Sequence, residues 1–352
     1  MQHLNHKAAR SMQTRSQLSC LMLVMFVAAG LFIAPNAEAD FFQLEPANEF
    51  SSVQADSGAA ETAEDRLWLI NTRRITSNAA CADLVSPTLS ISRLNACGQA
   101  SPSSIDEYLA TISQSPAVVL YAHGNRLESG EAIGRGLTVY RRTRQLRDRT
   151  PIDWVIWSWP SQKEGLLAKD ARIKASRADT QGLYMAWILR RHAEIAVPTA
   201  MIGYSFGGRV VTGALHAAAG GKLAGRSLQG AGVTGMQINA GLVAPAIEDD
   251  WMQRCGYHSE ATKNLNRLVL LYNRRDVILK RYWLINRVRG ESALGYSGPK
   301  SFAARIDGTP LPVISKDCAP TVGVHHSEMD YYSDSCRAGE KMSALIDELF
   351  PN

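Results

Sequence analysis

The chemistry-bearing residues of this sequence are a serine between glycines, an aspartate some seventy positions later, and a pair of histidines further on. The serine is Ser205, in Gly203-Tyr-Ser-Phe-Gly207-Gly208. A serine hydroxyl is a weak nucleophile at neutral pH. It needs a neutral imidazole to take its proton and a carboxylate to hold the imidazole in the right tautomer. The G-x-S-x-G pattern follows an apolar run, Thr199 to Ile202, and precedes a helix-type stretch, Arg209 to Ala218. That context predicts a nucleophile elbow, a tight strand-to-helix turn in which flanking side chains would clash with the adjacent backbone. The plainer alternative is a Gly-rich turn whose serine only caps the helix.

In the chain order serine, acid, histidine, the carboxylate should follow a late strand. Asp276 does so, in Asn273-Arg-Arg-Asp276 after Leu268–Tyr272, while Glu248, Asp249 and Asp250 are its rivals after the preceding strand. The base is expected from His325-His326, before the last helix, with His326 preferred and His325 as the alternative. His192, His216 and His258 lie on or beside helical stretches and read as surface or packing residues. Acyl transfer also needs two backbone N–H groups for the developing oxyanion. Phe206, at the start of the helix, and the loop Gly124-Asn125 are the candidates, with His123 fixing that loop through its ring.

These residues must be held by a framework. Short apolar runs at Leu67–Asn71, Thr88–Leu94, Ala117–Tyr121, Trp154–Trp157, Thr199–Gly203, Gln237–Leu242, Leu268–Tyr272 and Leu311–Ser315 alternate with helix-length segments. This alternation predicts an α/β fold: a mostly parallel sheet of about eight strands with helices on both faces. Met342, Leu345, Ile346, Leu349 and Phe350 form one helical stripe at the C-terminus. The Gly-rich stretch from Ala218 to Gly235 reads as a flexible loop. Within it, Gly230-Ala-Gly232-Val-Thr-Gly235 matches a dinucleotide fingerprint in letters only, because it leads into a strand instead of following one. No cofactor is therefore expected, and without C-x-x-C or His-x-x-x-His spacing no metal either.

The 352 residues, 45% hydrophobic with a net charge of +5, exclude a disordered or multi-span membrane chain. The small positive excess argues against nucleic acid as a partner; a small-molecule or lipid acyl substrate is expected instead. A basic start, an uncharged apolar run over Leu18–Ala34 and Ala37-Glu-Ala39 read as a signal peptide over 1–39. A flexible arm is expected over 40–65 and the folded domain over 66–352. Export to the periplasm or medium follows; the alternative is an uncleaved anchor at 18–34, the one route to membrane contact. Beyond Cys20 the cysteines are Cys81, Cys97, Cys255, Cys318 and Cys336. Cys81–Cys97 and Cys318–Cys336, or either of the latter with Cys255, are possible bridges, with one thiol left over.

At these residues the chain resembles the α/β-hydrolase superfamily, and within it an exported bacterial branch of a hydrolase family of unknown function. The similarity runs from about Leu67 to the C-terminus. It rests on Tyr121-Ala-His-Gly-Asn125, Ser158-Trp-Pro160, Asp170-x-Arg172-x-x-Ala175-x-Arg177-Ala178, Gly203-Tyr-Ser-Phe-Gly207, Ala244-Pro245 and Asn273-Arg-Arg-Asp276. Two departures stand out: His-Gly-Asn-Arg replaces the His-Gly-Phe-Asn of related proteins, and the histidine is doubled. The resemblance implies a Ser-Asp-His triad and acyl-bond cleavage through an acyl-enzyme, but no particular substrate. A carboxylesterase or lipase-like enzyme is the leading expectation. An inactive cell-envelope scaffold and an acyltransferase using the same triad are the alternatives.

Overall fold

In the computed structural model, residues 64–145, 150–165, 167–285 and 291–350 are described. The expected signal peptide, the alternative anchor and nearly all of the arm lie outside them.

The apolar runs form strands. They are β1 (Arg66–Asn71), β2 (Ser90–Leu94), β3 (Ala100–Ser103), β4 (Val118–Ala122), β5 (Asp153–Ser158), β6 (Thr199–Tyr204), β7 (Ile238–Val243), β8 (Leu265–Tyr272) and β9 (Val313–Asp317). They make one sheet in the order β3-β2-β1-β5-β4-β6-β7-β8-β9. β2 pairs antiparallel with both β1 and β3, and every other pairing is parallel. β4, β5, β6 and β7 are buried along their whole length. This is the condition of strands covered on both faces, and it explains why they read as continuous apolar runs.

The helices are α1 (Ile105–Ile112), α2 (Ser129–Arg144), α3 (Leu167–Glu194), α4 (Phe206–Ala218), α5 (Leu294–Ser297), α6 (Ala319–Val322), α7 (Glu328–Tyr331) and α8 (Ala338–Asp347). From β4 the chain steps one way along the sheet to β5, then back past β4 to β6. Right-handed crossovers therefore put α2 and α3 on opposite faces. α8 packs with α2, and α4 packs with α3. The C-terminal stripe buries Met342, Leu345 and Ile346, and Asn239 Nδ2 on β7 donates to Leu345 O at 2.9 Å.

Three expectations change. β3 is a ninth strand. Its sequence Ala-Ser-Pro-Ser is exposed, so it carries no apolar alternation, and its proline is tolerated because it lies on the sheet edge. The segment after α4 is pinned, not loose: Leu223 is fully buried, and Arg226 donates to the carbonyls of Ala79, Ala80 and Ala82. Cys318 and Cys336 form a disulfide, whereas Cys81, Cys97 and Cys255 are free and exposed. The possible Cys81–Cys97 staple does not form because its ends lie over different helices. Cys81 ends a 3-10 turn packed on α3; Cys97 sits in the β2–β3 turn, whose Gly98 lies against Leu137 and Ile133 of α2.

Candidate active site

β6 ends at Tyr204 and α4 begins at Phe206, leaving Ser205 alone at the turn with φ 52° and ψ −119°. An L-residue is strained there, so the surroundings must hold it. Its N–H donates to Val243 O at 3.0 Å, and its carbonyl accepts from Gly208 N and Ala246 N, each at 3.0 Å. The end of β7 thus clamps the turn from both sides. The flanking glycines are steric necessities: a Cβ on Gly207 would stand 1.9 Å from Ala122 O, and one on Gly203 2.6 Å from Gly207 O.

The loop after β8 carries Asp276, which is fully buried. Its Oδ1 accepts from Ile278 N and Leu279 N, both at 2.9 Å. That leaves Oδ2 for the ring of His326, at 2.6 Å from Nδ1. On the other side of the ring, His326 Nε2 lies 2.8 Å from Ser205 Oγ. The ring also stacks on Tyr204, centroids 5.2 Å apart. His325 points elsewhere: its side chain is 72% exposed, and its Nδ1 lies 3.5 Å from Asp330. Of the rival acids, Asp249 pairs with Lys300 at 2.8 Å, and the carboxylate that His326 meets is that of Asp276.

One backbone hydrogen bond and two from a side-chain amide bring the acid and histidine loops together. Val277 N donates to Val324 O at 3.2 Å. Asn273 Nδ2 donates to Gly323 O at 2.9 Å and to His325 O at 3.4 Å. The Cys318–Cys336 disulfide closes the segment that contains His326.

The loop after β4 lies against the elbow: a Cβ on Gly124 would be 2.7 Å from the Tyr204 ring and 3.4 Å from Ser205 Cβ. Phe206 is the first residue of α4, so its N–H has no partner within the helix. His123 Nδ1 donates to Gly124 O at 2.8 Å, and its Nε2 accepts from Trp159 N at 3.3 Å. Burial lowers its pKa to about 3, so the ring is neutral and holds backbone. Asn125 Nδ2 donates to Asp170 Oδ2 at 3.1 Å. Arg126 N donates to Ser161 O at 2.7 Å, and Arg73 reaches Leu127 O at 2.9 Å.

Several contributors were not assigned from the sequence. Asp170 anchors Asn125, accepts from Glu164 N at 2.8 Å and pairs with fully buried Lys174 at 3.2 Å. Arg209, one turn into α4, forms a two-pronged buried pair with Asp179 of α3 at 2.8 and 2.9 Å. Glu328, buried beneath the histidine loop, accepts from Tyr121 OH at 2.9 and 3.0 Å. Burial raises its carboxyl to about 7. The motif letters around Asp170 were the available signal for the first; Arg209 and Glu328 carried none.

Trp154, Trp157 and Trp159 are wholly buried core residues. His192, His216 and His258 are buried and bond to Tyr108, the Glu260 amide and Thr212 respectively. The Gly230–Gly235 segment runs between α4 and β7 and opens no helix. A cavity of about 480 Å³, lined by Leu189, His192 and Met236 among others, lies at the opposite end of β6 and β7 from Ser205. Among the described residues no group of His, Cys, Asp and Glu could hold a metal ion, and no helix is long and apolar enough to cross a membrane.

No family model and no curated protein matches the chain. Solved structures are similar to it only distantly. Phosphonate-inhibited esterase B from Lactobacillus rhamnosis is 11% identical, with 67% of this chain and 77% of that chain covered and a TM-score of 0.33. TT1662 from Thermus thermophilus is 10% identical, with 74% and 93% covered and a TM-score of 0.33. MGS-M1, an α/β hydrolase from a Medee basin deep-sea metagenome library, is 13% identical, with 75% and 96% covered and a TM-score of 0.28. Likeness at that level carries no argument, whereas the strand order of this chain and the serine at the β6–α4 turn do: the chain has the α/β-hydrolase fold.

Proposed function

We propose that the protein is an exported serine hydrolase of carboxylic esters, of the carboxylesterase or lipase-like kind. The observation that supports this most strongly is the unbroken run from Ser205 Oγ through the His326 ring to Asp276, at 2.8 and 2.6 Å. In this reading Ser205 Oγ attacks the ester carbonyl while His326 Nε2 takes its proton. The carbonyl π electrons move onto oxygen, which is met by the N–H groups of Phe206 and the Gly124–Asn125 loop. Collapse of the tetrahedral species expels the alcohol, protonated by His326, and leaves an acyl-serine. Water, deprotonated by the same ring, then releases the acid and restores Ser205. Asp276 keeps Nδ1 protonated and stabilises the imidazolium. The 278–279 amides fix one carboxylate oxygen, so the other faces the ring in a set direction.

Export is part of the proposal; the Cys318–Cys336 disulfide supports it, since such bonds persist in oxidising compartments. The test is hydrolysis of short p-nitrophenyl esters by wild type and Ser205→Ala. The variant is expected to lose turnover with an almost unchanged melting temperature. An undiminished rate in Ser205→Ala would remove Ser205 from the mechanism.

A further inference from the structure

The strand-to-strand segment that carries Asp276 has an unusual outer surface. Arg274, Arg275, Lys280 and Arg281 are all exposed. Interleaved with them, Val277 is 38%, Ile278 50% and Trp283 48% exposed. Val324, 43% exposed and two residues from His326, joins them through the Val277 N–H. Exposed apolar side chains grouped in one short segment are a mark of an interaction surface. Asp276 faces inward, so the outward charge of the segment is entirely positive. Among the described residues, Asp317 lies 3.8 Å from Arg274, and Asp330 lies beside His325.

A half-exposed tryptophan and aliphatic side chains set among lysine and arginine match one partner in particular. The apolar groups enter the headgroup boundary, where tryptophan is favoured, and the cations meet anionic phosphates. We propose that this face, residues 274–284 with Val324, docks onto an anionic lipid surface. Docking would set the rim of the Ser205 site against the lipid. The contact is separate from the apolar run at 18–34 and does not depend on the hydrolase reading, because no step of it uses the Ser205 hydroxyl.

The full chain is tested on phosphatidylcholine vesicles with and without phosphatidylglycerol, some of them carrying lipids brominated in the acyl chains. The expected result has three parts. Binding favours the anionic vesicles and weakens with salt. The brominated lipids quench a fluorescence component that the Trp283→Phe variant lacks. Lys280→Gln with Arg281→Gln lowers partitioning on the order of tenfold or more. Ser205→Ala should dock like wild type, so the docking and hydrolase readings can fail separately. Vesicle binding without quenching of Trp283 would mean attachment through 18–34 alone and would overturn the proposal. So would equal binding to neutral and anionic vesicles, or no binding at all, which would leave the face to a protein partner.

Discussion

Two adjacent imidazoles differ here by what holds their backbone. The spacing in Val-Gly-Val-His-His-Ser is the same for either ring as a base, so the sequence could only prefer one. Asn273 grips the carbonyls of Gly323 and His325, and Val277 grips that of Val324. With the backbone so fixed, alternate side chains face opposite ways: His326 turns to Ser205 and His325 to solvent. His326→Ala is therefore expected to lower kcat by on the order of 10³-fold or more. His325→Ala should stay close to wild type; steady-state kinetics on one ester separates the two. Comparable losses in both variants would mean that the doublet acts as a unit.

Elements carry the site through their ends, and this part of the architecture was only half legible. The parallel strands announced themselves because burial on both faces makes them apolar throughout, as in Val118–Ala122. β3 is silent in the sequence because an exposed edge needs no apolar side chain, and Gln237 falls just outside β7 because its φ of 56° bars it from a strand. Asp276 was legible from its place after a strand. The link between Asn125 and Asp170 was not, since nothing local ties a loop to a helix 45 positions away. If the loop after β4 supplies the proposed oxyanion donor, Asn125→Ala should loosen it and lower kcat on the order of 10–100-fold with little change in KM. A rise in KM with kcat unchanged would instead assign Asn125 to substrate binding. The disulfide stands around the histidine loop in the same way. Reducing it, or replacing Cys318 and Cys336 by serine, is expected to cost about 3 kcal/mol in chemical denaturation and to lower activity. Unaltered stability would show that the loop is held without it.

At the scale of the whole molecule, buried titratable groups set opposing pH dependences. His123 and His192 are lowered to about 3 by burial. Their contribution is present above the unfolded value near 6.5 and is lost as pH falls towards 3. Glu328 is raised to about 7, above the 4.5 of an unburied glutamate. Its contribution is full below 4.5 and is lost as pH rises through about 7. Stability is thus expected to climb from acid pH and flatten near neutrality, which denaturation midpoints across pH would reveal. Glu328→Gln should remove a decline of about 3 kcal/mol between roughly pH 4.5 and 7; identical profiles for wild type and variant would contradict the burial argument. The most direct trial of the central claim is fluorophosphonate labelling of the folded, disulfide-intact protein, read by peptide mass spectrometry. One adduct is expected, on Ser205, persisting in His325→Ala and lost in His326→Ala. No adduct, or one on another residue, would contradict it.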